Sequence, residues 1–146
     1  GTLYARPDYF DVYTAVAREA GVPCMIPRPT AAAAAEMKEY PITAEMLTKK
    51  ESQGFVLLDR LVTGVPGRSI PERAESYRKF LKGLQPGVTK LIVHLAKDDA
   101  EIRAVTNNWE ARWADFNFFT SPESKRLMSE LAIKPVTYRE LGGLKT

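Results

Sequence analysis

The chain is short of the residues from which common catalytic and metal centres are assembled. Its 146 residues include one cysteine, Cys24, and one histidine, His94. A lone thiol excludes an internal disulfide and a cysteine-rich zinc site, and a lone imidazole excludes a multi-histidine metal set within the chain. A site built from carboxylates alone stays open. No run reaches the roughly 18 apolar residues of a membrane helix, and the first residues lack a charged segment followed by an apolar one. The expectation is a cytoplasmic protein with no membrane partner. A Gly-rich phosphate loop, a nucleophile elbow and a Cys/His pair are also missing. The net charge of +3 is spread among Asp and Glu rather than gathered in a block, so nucleic acid is not an expected partner.

What is present is ordinary for a globular domain: 45% hydrophobic and 27% charged residues, enough for one real core. The chain opens on Gly1-Thr2-Leu3, without a start methionine, and reads as a cut end. Pro7 and Asp8 suit a first helical turn, and Phe10, Tyr13, Val16, Ala17 and Ala20 recur at helical spacing before Gly21. Val22 to Ile26 is a short apolar strand, stopped by Pro27-Arg28-Pro29. Residues 30–50 form a weakly specified helical excursion with five alanines, 31–35, and a second helix from Ile42 to Lys50 for which Thr43 is the cap.

Phe55 to Leu58 is a second apolar run, ending at Asp59 before a loop with Gly64, Pro66 and Gly67. Ser69 and Glu72 make a capping box for a helix bearing Ala74, Tyr77, Phe80, Leu81 and Leu84 on one face. Pro86-Gly87 turns the chain into a third strand, Leu91 to Val93, with His94 at its end. A capping box at Asp98 and Glu101 opens a helix from Glu101 to Trp113. Thr120 and Ser121 cap a further helix to Leu131, Ile133 to Tyr138 gives a last strand, and Gly142-Gly143 leads to a tail. Alternating helices and strands predict an α/β domain with a parallel sheet or barrel.

Arg28, Asp59 and His94 each follow an apolar strand-like run, and in parallel α/β folds the strand ends share one face, where chemistry is usually built. They are the candidate site. The bland alternatives are a solvated loop cation, a loop cap and a hydrogen-bonded strand-end residue. Trp109, Trp113, Phe116, Phe118 and Phe119 are read as core before ligand platform, Asp98-Asp99 as helix capping before metal binding, and Cys24 as a buried, inert thiol.

Several segments carry a family resemblance: Gly1-Thr2-Leu3-Tyr4-Ala5-Arg6-Pro7, Val22-Pro23 leading to Arg28, Leu58-Asp59 before Leu61-Val62-Thr63-Gly64, Leu84-Gln85-Pro86-Gly87-Val88-Thr89 before Leu91-Ile92-Val93-His94, and Phe119-Thr120-Ser121-Pro122. Together they resemble the carboxyl-terminal half of the YdjC-like (ChbG-type) carbohydrate deacetylases. The resemblance implies part of an incomplete (β/α) barrel with parallel strands and covering helices. It also implies hydrolysis of N-acetyl groups on amino sugars such as chitooligosaccharides. A divalent metal, zinc or magnesium, would serve the full-length parent, and none is expected in this chain. His94 matches the family's Val-His position and takes the role of general acid toward the departing amine, a task suited to a side chain with an unperturbed pKa of about 6.5. Arg28 and Asp59 resemble positions that orient or tune the site. Where the family has Pro-Gly after the histidine, this chain has Leu95-Ala96. The family's Asp-Asp motif and metal-ligand histidines belong before Gly1, so the chain by itself is expected to be inactive. A non-catalytic α/β sugar-binding or interaction domain is the alternative. Uncovered sheet edges in a half barrel would favour a homo-oligomer.

Overall fold

Helix formation begins where Pro7 presets the backbone and Asp8 meets the positive helix end, giving α1 over Pro7–Glu19. A computed structural model describes residues 4–30 and 38–143. The alanine run at 31–35 lies outside the described residues. The elements that follow are β1 (Ile26–Pro27), α2 (Ala44–Ser52), β2 (Leu57–Leu58), β3 (Arg60–Val62), α3 (Ile70–Lys82), β4 (Thr89–Leu91), α4 (Ala100–Val105), α5 (Trp109–Thr120), α6 (Pro122–Glu130) and α7 (Tyr138–Gly143). The class is mixed α/β, with seven helices among the described residues and one parallel pair, β1 with β2 in the register Ile26↔Leu57 and Pro27↔Leu58. β3 and β4 form a second two-stranded sheet. No described helix is long and apolar enough to cross a membrane.

The chain divides into two compact units. Unit one comprises 1–61, 87–90 and 136–146. Its core gathers Phe10 and Ala17 from α1 with Cys24, Ile26, Ile42, Leu47, Phe55 and Leu57. The buried face of α1 is Phe10, Thr14 and Ala17, whereas Val16, assigned to that face by periodicity, is 57% exposed. Thr14 can go inside because its hydroxyl donates to the Asp11 carbonyl at 3.0 Å and accepts from Lys50 Nζ at 2.9 Å. Cys24 is fully buried and its thiol is pushed up by that burial, consistent with the inert reading.

Unit two comprises 62–86 and 91–135. Tyr77, Leu81 and Phe118 form its centre, and Tyr77 stacks on Phe118 at 4.9 Å while meeting Phe119 edge-on at 4.8 Å. Phe118 is core as expected, and Phe119 packs against it. Trp113 and Phe116 remain half-buried and stack on one another at 5.6 Å.

Five expected elements differ. The first two strands shorten to Ile26–Pro27 and Leu57–Leu58, because only there does each find a ladder partner. The third lies at Thr89–Leu91 rather than Leu91–Val93. The Glu101–Trp113 helix is two helices, broken at residues 106–108, where the Thr106 hydroxyl takes the Asn108 backbone N–H at 3.1 Å. The expected last strand is not one. Thr137 caps α7 instead, its backbone N–H donating to Glu140 Oε2 at 2.7 Å while the Glu140 N–H donates to Thr137 Oγ1 at 3.2 Å.

Candidate functional site

Arg28 follows β1 and Asp59 follows β2, so the parallel register carries both to the same end of the pair. Arg28 N–H donates to the Leu58 carbonyl at 2.7 Å, extending the ladder by one residue. Its guanidinium then bridges two carboxylates. Nε meets Asp59 Oδ1 at 2.9 Å, and Nη1 donates to Glu51 from α2. Asp59 Oδ2 accepts the Val88 N–H at 2.7 Å, while the Asp59 N–H donates to the Val88 carbonyl at 2.9 Å. That reciprocal clasp requires Gly87. Its φ is +129°, and a Cβ there would stand 2.6 Å from Asp59 Oδ2. The Val88 N–H and then Arg28 hold the Asp59 carboxyl below the usual carboxylate range, and Asp59 and Glu51 hold the Arg28 guanidinium up. Sequence reasoning named Arg28 and Asp59 and missed Glu51.

His94 belongs to unit two, apart from the unit that brings Arg28 and Asp59 together. Its side chain is exposed, while its backbone is anchored. The His94 N–H reaches Asp115 Oδ2 at 3.4 Å, and two residues on the Ala96 N–H donates to the Arg112 carbonyl at 3.3 Å. The segment from His94 to Ala96 therefore runs along α5. Lys97 continues it, with its ammonium 5.8 Å from the Phe116 ring.

Asp115 is the group that sequence reasoning missed. Its side chain is 2% exposed, and Arg73 reaches it bidentately, Nε to Oδ1 at 2.8 Å and Nη2 to Oδ2 at 3.0 Å. Tyr77 donates to Oδ1 at 2.6 Å. Burial, and then the Asp115 carboxylate, raise the Tyr77 phenol well above its ordinary value. Arg73 also donates to the carbonyls of Val65 and Gly67, so the loop before α3 is tied to the same centre. The available signal was one carboxylate among Trp113, Ala114, Phe116 and Phe118, on a helix face that otherwise reads as core.

Among the described residues no three His, Cys, Asp or Glu side chains stand together as a metal site. The helix capping expected of this pair is made by Asp99, which accepts the Ile102 N–H at 2.9 Å; Asp98, expected to form a capping box with Glu101, pairs with Arg103 instead. A groove in unit one lined by Asp11, Thr14, Arg18, Lys50, Gln53 and Phe55 has its cations already engaged: Lys50 with Asp11 and Thr14, Arg18 over the Phe55 ring.

The fold and these clusters define a mixed α/β protein with an exposed histidine on a backbone held by a buried ion pair. No protein-family model matches the chain, and a comparison with curated proteins gives no match.

Proposed function

We propose that the chain is the carboxyl-terminal portion of a YdjC-like, metal-dependent carbohydrate N-deacetylase, a cytoplasmic hydrolase acting on N-acetyl groups of chitooligosaccharide-like amino sugars. The reading takes the two parallel strands and their helices as part of an incomplete (β/α) barrel. The observation that carries it is His94, the chain's one imidazole, exposed at the end of the Pro86-Gly87-Val88-Thr89 to Val93 segment while its own backbone N–H is directed to buried Asp115. Amide hydrolysis needs a proton on the departing nitrogen, and an imidazole open to the substrate yet fixed at its backbone suits that transfer.

The described residues do not make a metal centre, so the chemistry assigned to this chain is limited to its own groups. His94 donates the proton to the amine. Asp115 anchors the His94 backbone through its N–H. Arg28 and Asp59, locked to each other and to Val88, keep the loop after β2 in one shape. In a protein that contains this chain and deacetylates N-acetylglucosamine oligomers, His94→Ala is expected to lower turnover by on the order of 100-fold or more. Near-normal activity removes His94 from that role.

A second reading, a non-catalytic interaction domain, draws on the outer face of α1, where Tyr9, Val12 and Val16 are 44%, 62% and 57% exposed. Light scattering separates the two. A concentration-dependent dimer dispersed by Val12→Lys, in a protein without deacetylase activity, supports the interaction domain.

A further inference from the structure

The groove of unit one, where α1 faces the end of α2, encloses about 340 Å³. Small-molecule clefts start at roughly 300 Å³, so there is room for one small ligand. Asp11, Ala15 and Arg18 follow at i, i+4 and i+7 on one face of α1, and Lys50 of α2 meets them from across the groove. Ala15, with only a methyl group, leaves the middle open. The rim is solvated: the Asp11 side chain is 64% exposed, and Arg18 and Gln53 are exposed as well. The floor is not, with the Lys50 side chain 12% exposed and Thr14 buried. A ligand has both a way in and a desolvated place to stop.

The charges here are engaged but not saturated. Lys50 spends one N–H on Asp11 Oδ1 at 2.8 Å and one on Thr14 Oγ1 at 2.9 Å, out of the three an ammonium carries. Asp11 Oδ2 keeps its acceptor positions among the described residues. At the far end Arg18 lies over the Phe55 ring and reaches Gln53 through Nη2 alone, at 3.4 and 3.5 Å, the long limit of a hydrogen bond.

We propose that this groove binds a free α-amino acid with an apolar side chain. An ammonium and a carboxylate carried on one carbon match the adjacent Asp11 carboxylate and Lys50 ammonium, each ligand charge meeting its opposite. Lys50 and Arg18 stand against Asp11 and Glu19, two charges of each sign, so the groove favours a zwitterion over a simple anion or cation. A peptide terminus brings one of the two charges and leaves the other half of the pair unmet. The ligand's side chain runs along the Ala15 methyl toward Phe55 and the aliphatic stem of Arg18. None of these groups has a part in the deacetylase reading.

The test is a titration of the ¹⁵N-labelled chain with L-leucine, followed by backbone amide signals. Amides of residues 11–19 and 50–55 are expected to shift saturably with a half-point on the order of 0.1–1 mM, while those of α3 and α5 stay still. At matched ionic strength, 4-methylpentanoate lacks leucine's ammonium and 3-methylbutylamine lacks its carboxylate. Each should bind at least about 10-fold more weakly, since each leaves one charge of the Lys50–Asp11 pair unmatched. Ala15→Leu fills the groove from an exposed helical position, and should keep the melting temperature while losing the leucine response. The proposal is overturned by the absence of a saturable shift up to about 10 mM L-leucine, by equal binding of either one-charge analogue, or by an undiminished response in folded Ala15→Leu. The three compounds compared on the wild-type chain decide the matter even where the variant fails to fold. Deacetylase activity, present or absent, alters none of these outcomes.

Discussion

Asp115 keeps a carboxylate at 2% side-chain exposure by surrounding it with donors, two from Arg73, one from Tyr77 and one from the His94 backbone. A buried charge of this kind is tolerated only while its partners hold. Asp115→Asn is therefore expected to cost about 3–5 kcal/mol in urea unfolding, because it leaves the Arg73 guanidinium, itself 13% exposed, without its counter-charge. A loss under 1 kcal/mol would mean that water already shares this centre. Asp59 is a more open case, held by Val88 N–H and Arg28 and partly solvated. Its carboxyl lies below the ordinary range when folded, so the stability it confers is full above the unfolded value of about 3.9 and is lost as pH falls through the lower, folded value. Urea midpoints should separate wild type from Asp59→Asn at pH 7 and converge as the pH falls through the lower, folded value. A gap that persists in acid would place the effect in packing instead of charge. Arg28 and Asp59 were legible because each follows an apolar run. Their partner Glu51 was not, since a helical glutamate six residues before β2 carries no local sign of what it will meet across the fold.

Among the elements, capping chemistry was the most readable layer, because it is encoded within four residues. Ser69 with Glu72, Thr43, and Ser121 all mark helix starts. Thr137 with Glu140 is the same signal, and it outweighs the apolar look of residues 133–138; Pro135 also removes a ladder donor from that stretch. Strand lengths were illegible, since a strand extends only as far as a partner supplies acceptors, and β1 and β2 match for two residues. Ser121 offers a clean measurement at this scale. Its Oγ accepts the Ser124 N–H at 3.1 Å and donates to the Phe118 carbonyl at 2.7 Å, joining the end of α5 to the start of α6. Ser121→Ala is expected to cost about 1 kcal/mol, seen as a lower urea midpoint with an unchanged slope. A changed slope would indicate that the α5–α6 corner had rearranged more widely.

The described residues form two hydrophobic centres with no member in common, one around Phe10, Ile26 and Leu57, the other around Tyr77, Leu81 and Phe118. Each is assembled from separate stretches, and the backbone passes between units at residues 61–62, 86–87, 90–91 and 135–136. A shared covalent path does not by itself make unfolding a single event. Cooperativity comes from side chains that lose partners together, and the members of each centre pack with one another. Phe10→Ala removes a fully buried ring from unit one and should cost about 3–5 kcal/mol there. In native-state hydrogen exchange, amides of α1, α2, β1 and β2 are then expected to speed up by the corresponding factor, while those of α3 and α5 stay near their wild-type rates. Phe118→Ala should show the reverse pattern. Equal acceleration everywhere in either variant would mean that the two centres unfold as one, and that substitutions far from His94 reach it through global stability alone.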